Sequence, residues 1–318
     1  MENVSRTSTS FDLLGLSELE RFKFLYAVLA LSIYLFTISI SSLIIYVVWA
    51  EETLHEPMYI FISNLFFNGI YGSSSVLPKI MIALLSGSRT TGFLECLIQA
   101  FCIHSFAAVE LFTFTVMAQD RYLAIGQPLR YATLMNNDKA IKYITLSWVV
   151  AFIAVLIPVI MSAYLHICGV NINNVFCDNT SFIMLACGGA VANNIFGAVE
   201  AFLINISCLL VIIYCYIRTF LICLKFSKEA YQKAIRTLVT HLSAFSMVIV
   251  SSFFVLLRYR INNGSISLVA HVVISVFGVV TPTILNPLIY GFRTEALKLK
   301  IIQRLRNAIR DDHLVKSY

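Results

Sequence analysis

Seven apolar runs, each long enough to cross a bilayer, constrain this chain more than any other feature. They lie near 24–49, 58–84, 95–119, 141–163, 192–223, 238–257 and 267–291, and a helical span needs roughly 20 residues. Hydrocarbon offers backbone N–H and C=O groups no partner, so each run must satisfy its own hydrogen bonds as a helix. A β-barrel would show shorter segments of alternating polarity, and none is visible. Tyr26, Trp49, Tyr59, Trp148, Tyr259 and Tyr290 suit interfacial anchoring. The chain is 59% hydrophobic and 13% charged, with mean hydropathy +0.83, which excludes an ordinary soluble domain. The expected fold class is all-α, a seven-transmembrane helix bundle.

An odd number of spans puts the termini on opposite sides, and basic residues decide which side is which. The loop after the third run carries Arg121, Arg130, Lys139 and Lys142; the loop after the fifth carries Arg218, Lys225, Lys228, Lys233 and Arg236. The tail adds Arg293, Lys298, Lys300, Arg304, Arg306, Arg310 and Lys316. These hold most of the 23 lysines and arginines, so the positive-inside rule makes these segments cytoplasmic. Arg21 and Lys23 before the first run, against Glu51 and Glu52 after it, oppose that bias locally and are outweighed. The net charge of +6 then belongs to a face beside anionic lipid, not to a nucleic-acid surface.

No linker or repeat divides the chain, so 1–318 reads as one domain: an extracellular N-terminus (1–23), the bundle (24–291) and a cytoplasmic tail (292–318). The polar start lacks the apolar core of a cleaved signal peptide, so the first run itself is expected to direct insertion. In the tail, Leu297, Ile301, Ile302, Leu305 and Ile309 recur at helical spacing between basic residues, which predicts an amphipathic eighth helix over 293–310 on the inner leaflet.

Cys96 opens the third run, and Cys168, Cys177 and Cys187 lie in the long outer loop at about 164–190. Four cysteines facing an oxidising compartment allow three pairings. Cys102, Cys208, Cys215 and Cys223 fall inside spans as reduced packing residues. Asn3-Val4-Ser5, Asn179-Thr180-Ser181 and Asn263-Gly264-Ser265 are outward glycosylation sequons, whereas Asn205-Ile206-Ser207 sits within the fifth run and should be silent. No ligand spacing suggests a metal, and no cofactor is implied.

Several polar groups interrupt the apolar interior. Glu110 lies about three turns from Arg121 on the third run; a carboxylate there needs a proton or a partner, with Asn68 and Ser74 the candidates. A ligand pocket is expected among the third, fifth, sixth and seventh helices, with Ile103, His104, Ala107 and Ala108 facing it on the third and Ile204 on the fifth. Asn193, Glu200 and Ser207 recur every seven residues, which predicts one polar stripe. Glu200 could bind an ammonium group or, with Arg258 or Arg260 near the outer end of the sixth helix, a zwitterion. The competing reading pairs Glu200 with His104 and leaves both arginines solvated at the rim.

The segment Met117-Ala-Gln-Asp-Arg-Tyr-Leu-Ala-Ile-Gly-Gln-Pro-Leu-Arg-Tyr131 resembles the Asp-Arg-Tyr signature of rhodopsin-like G-protein-coupled receptors, in its olfactory form. Further motifs in chain order strengthen that resemblance. They are Leu54-His55-Glu56-Pro57-Met58-Tyr59, Phe93-Leu-Glu-Cys-Leu-Ile-Gln99, Phe176-Cys177-Asp178, Leu185-Ala186-Cys187, Cys215-Tyr216, Lys233-Ala-Ile-Arg-Thr237 with His241-Leu242, and Pro282-Thr-Ile-Leu-Asn-Pro-Leu-Ile-Tyr290. The resemblance implies disulfides Cys96–Cys177 and Cys168–Cys187. It implies coupling roles for Asp120, Arg121, Tyr122, Tyr216, His241, Asn286, Pro287 and Tyr290. In the resting state Arg121 would pair with Asp120; after an outward swing of the sixth helix it would meet Tyr216 and Tyr290. Pro287 removes a helix hydrogen bond and gives the seventh helix a place to deform.

The family's Asp on the second helix reads here as Gly69, with Asn68 beside it; its Asn on the first reads as Ser41, and its aromatic pair on the sixth as Val248-Ile249. These departures alter the polar relay around Glu110. The resemblance implies an odorant receptor acting through a stimulatory olfactory-type heterotrimeric G protein, with membrane lipid as its other partner. The Asn-rich outer loop resembles fish-type members, which implies water-soluble odorants. A receptor for a hormone or metabolite is the alternative; Ile103 stands where amine receptors carry Asp, and the seventh helix has no lysine for a retinal Schiff base. A transporter or channel should show repeated halves or broken helices, and an enzyme a catalytic motif such as His-Glu-x-x-His; neither is present.

Overall fold

The computed structural model describes residues 10–260, 267–294, 296–304 and 306. The spans form α2 (Lys23–Ala50), α3 (Pro57–Ser86), α4 (Phe93–Gly126), α6 (Asn137–Ala163), α8 (Val191–Cys223), α9 (Lys228–Arg260) and α10 (Leu268–Arg293). Six of these regions are long and apolar enough to cross a membrane, and the described part of α9 contributes the shorter apolar stretch Leu238–Phe253. Phe24, Val28, Trp49, Phe202, Leu203 and Leu210 are among the many large apolar side chains left exposed around the bundle. A soluble protein would bury that surface; in a bilayer it faces lipid.

Helix α4 is the axis of the bundle and packs against α3, α6, α8 and α9, while α2 packs on α3 and α10. Gly72 lets α3 approach α4 closely, because a Cβ there would collide with the ring of buried Phe106. Pro78, Pro158, Pro282 and Pro287 lie inside α3, α6 and α10. Buried side chains gather in two clusters, one around Phe11, Cys96, Cys177 and Phe182, the other around Phe61, Phe66, Met117 and Tyr290.

Two helix ends differ from the sequence expectation. Helix α4 continues to Gly126, so Asp120-Arg121-Tyr122 lies inside a helix and not at its end. Helix α9 begins at Lys228, well before its apolar run. Polar residues extend both helices because beyond the hydrocarbon water can solvate them, so hydropathy marks the membrane boundary and not the helix boundary.

The N-terminal segment also departs from a plain polar tail. Strand β1 (Ser10–Leu13) lies between β2 (Thr90–Gly92) and β3 (Asn171–Ile172), antiparallel to the first and parallel to the second. The short helix α1 (Gly15–Leu19) follows. Alternation in β1 turns Phe11 and Leu13 inward, where each is 1% exposed. Phe11 meets the Phe182 ring edge-on at 5.6 Å. Gly15 is required at this closure: its N–H donates to the Asn174 carbonyl, and a Cβ would stand 2.6 Å from that carbonyl carbon.

Cys96 bonds Cys177 and Cys168 bonds Cys187, with Cα separations of 5.2 and 5.3 Å. Together with the small sheet they cover one end of the bundle. At the opposite end a helix over 296–304 follows α10, with Leu297 fully buried and Leu299 exposed; Leu305 and Ile309 lie outside the described residues. Glu51, which ends α2, accepts from Arg304 Nε at 2.6 Å and faces Lys300 Nζ at 2.9 Å, tying this helix to the first span.

Candidate functional site

Below the disulfide-bonded end lies a cavity of about 300 Å³. Its wall includes His104, Ala107, Ala108, Glu200 and Ile204, and also Glu110, Asn205, Ser251 and Pro282. Arg258 and Arg260 are in α9, but their side chains lie outside those described. Val155, Pro158 and Val159 on α6 also line the cavity; an apolar stretch on the fourth span carries no signal that separates a pocket face from a lipid face. The expected stripe on α8 does not hold. Asn193 is buried and donates to Ser162 Oγ at 2.7 Å, Glu200 lines the cavity, and Ser207 is exposed. Seven residues fall short of two full turns by about 20°, so the stripe drifts out of the cavity along the helix.

A short helix, α7 (Asn179–Leu185), roofs the cavity. Asp178 Oδ1 caps it by accepting from the Ser181 N–H at 2.8 Å. Asn179 is 8% exposed; its Oδ1 accepts from Ser162 Oγ at 2.6 Å, and its N–H donates to His104 Nε2 at 3.3 Å. His104 therefore helps to hold the roof, and among the described residues no hydrogen bond or ion pair joins Glu200 to it. With Asn179 8% exposed, its Nδ2 has little room for a sugar in this arrangement. Asn3 and Asn263 lie outside the described residues.

At the cavity floor Glu110 is 1% exposed and joins three helices. Its Oε2 accepts from Asn68 on α3 at 2.8 Å, and its Oε1 accepts from Asn286 on α10. Of the two partners read from sequence, Asn68 is present, whereas Ser74 instead meets Tyr34. The family's missing Asp at Gly69 is thus replaced by the amide one residue earlier. Asn286 sits where Pro287 interrupts the backbone ladder of α10, so the polar relay reaches the deformable part of that helix.

One turn further, Tyr290 is fully buried and its hydroxyl lies 3.1 Å from His241 Nδ1 on α9. Asp120, also fully buried, accepts from Arg121 Nε at 2.9 Å and, on its other oxygen, from the Tyr131 hydroxyl at 2.7 Å. Tyr131 opens the short helix α5 (Tyr131–Leu134). Burial, followed by the charge of Asp120, raises its phenol well above the ordinary value, so it stays a donor. Arg121 is therefore paired with Asp120, and Tyr290 with His241; Tyr216 is half-buried, and Tyr122 packs edge-on to Tyr214. Sequence reasoning missed Tyr131, although it closes the same motif.

A bundle of membrane-spanning helices around a cavity, with a paired Asp-Arg inside its central helix on the side away from the cavity, defines the rhodopsin-like receptor class. The olfactory receptor family model matches residues 30–308. Olfactory receptor 4E2 of Homo sapiens is 33% identical, with 100% of each chain covered. Olfactory receptor 4M1 of Mus musculus is 33% identical over 92% of this chain and 93% of its own. Olfactory receptor 14A2 of Homo sapiens is 31% identical over 96% and 97%. The chain belongs to the olfactory receptor family.

Proposed function

We propose that this receptor binds a small, water-soluble odorant in the cavity and activates a stimulatory olfactory-type heterotrimeric G protein, raising cAMP. One observation carries the reading: Glu110 belongs both to the cavity wall and to the hydrogen-bonded relay toward the Asp120–Arg121 end. A ligand that shifts the cavity floor pulls on Asn286, and α10 passes that movement to Tyr290 and His241 on α9. Release of His241 lets α9 move outward, freeing Arg121 from Asp120 to meet Tyr216 and opening a cleft for a G-protein helix.

The basic loops and tail support a plasma-membrane orientation with the N-terminus extracellular and the C-terminus cytoplasmic. Asn3 and Asn263 are then the sequons open to glycosylation. The test is a cAMP reporter in cells with and without the olfactory G protein α-subunit, screened with amines, amino acids, bile acids and nucleotides. Ligand-evoked cAMP that requires both receptor and α-subunit is expected. Ligand-evoked current without G protein would refute the reading in favour of a channel.

A further inference from the structure

Among the described residues three carboxylates line the cavity, and two of them are already satisfied. Glu110 accepts from Asn68 and Asn286, and Asp178 caps α7. Glu200 is half-buried in the wall and, among the described residues, has no hydrogen bond or ion pair. Among those residues no lysine or arginine lines the cavity. His104 is engaged with the roof, where its Nε2 accepts from the Asn179 N–H. A second polar group is also unsatisfied among the described residues: the Ser251 hydroxyl on α9, in a residue 4% exposed, lines the same cavity without a hydrogen bond to any of them.

A carboxylate in a largely apolar wall is costly unless a cation meets it. An ammonium group brought by a ligand would supply that cation through charge-assisted hydrogen bonds. Ile103, Leu111, Ile204, Val248 and Val279 would hold an apolar body. The volume of about 300 Å³ sits at the small end of ligand pockets, which run roughly 300–1,000 Å³.

We infer that the cavity takes a small amine as its ammonium ion, with Glu200 as counter-ion and the Ser251 hydroxyl as the second polar contact. The inference rests on the cavity being the ligand site, as in the proposed function, and names the class of ligand.

The test is thermal melting of the full-length receptor in lipid nanodiscs with short primary alkylamines, the matching alcohols, the matching carboxylic acids and a short amino alcohol. Amines should raise Tm at concentrations where the alcohols and acids do not. Glu200→Gln should weaken the amine effect roughly 10- to 100-fold, the range a hydrogen bond to a charged group implies. Glu200→Asp should retain the preference for cations, which guards against a mere packing defect. Ser251→Ala should weaken binding of the amino alcohol and leave the plain alkylamine unchanged.

Equal stabilisation by the alcohols or acids, an undiminished amine effect in Glu200→Gln, or no amine effect at all overturns the inference. The cAMP assay separates this from failure of the receptor reading. A receptor that binds amines without raising cAMP keeps the ligand class and loses the signalling role. One that signals to neutral odorants and ignores amines does the reverse.

Discussion

Replacing Tyr131 with phenylalanine removes a single hydroxyl and should raise signalling in the absence of ligand. That hydroxyl donates to Asp120 at 2.7 Å, on the oxygen opposite the one Arg121 holds. A hydrogen bond to a charged group contributes about 1.5–3 kcal/mol; Tyr131 is only half-buried, so the lower figure applies. At about 1.4 kcal/mol per factor of ten, the loss shifts an equilibrium roughly tenfold. It acts on the resting-to-signalling equilibrium only to the extent that the Asp120–Arg121–Tyr131 cluster is special to the resting arrangement. The assay is basal cAMP per receptor at the cell surface, for the wild type and Tyr131→Phe. A rise of several-fold, up to about tenfold, is expected. Because the phenol stays protonated, the difference should persist from neutral to mildly basic pH. Unchanged basal cAMP at equal surface density would mean that the bond survives activation, and the cluster would not be a resting lock.

Four further outcomes follow from the geometry. Glu110→Leu removes two interhelical acceptors, and at about 0.6–1.7 kcal/mol each in a membrane bundle it should cost about 1–3 kcal/mol; Glu110→Gln, which keeps one acceptor oxygen, should cost about half, both read from Tm in nanodiscs. Gly15→Ala forces a Cβ onto the Asn174 backbone and should cost about 1–3 kcal/mol, seen as a lower Tm with faster proteolysis of the N-terminal segment. Chain entropy makes the disulfide with a sequence separation of 81 stronger than that with 19, about 4.5 against 3 kcal/mol, so Cys96→Ser should lower Tm more than Cys168→Ser. Hydrogen bonds from Lys300, then Arg304, hold the Glu51 carboxyl below its ordinary value of 4.5. A group depressed on folding stabilises above its unfolded value and loses that contribution as pH falls through the folded one. A spin label at exposed Leu299 should therefore loosen only below the ordinary carboxylate range, whereas Glu51→Gln should loosen it at neutral pH.

Hydropathy by itself determined the helical spans, because a bilayer permits few alternatives and each run had to close its own backbone bonds. The ordered motifs, from Asp120-Arg121-Tyr122 to Asn286-Pro287 and Tyr290, carried the family and the disulfide pairs. Local sequence could not show which polar residues meet. Glu110 and Asn286 are 176 positions apart and become neighbours only when α4 and α10 pack. Nor could it show that Ser10–Leu13 completes a sheet, since so short a segment gains its order from Phe93, Phe182 and Asn174, which lie far along the chain. The faces of α6 and α8 were equally hidden: lipid and protein interior are both apolar, so periodicity does not tell them apart, and tertiary packing alone left Glu200 facing the cavity and Ser207 facing out.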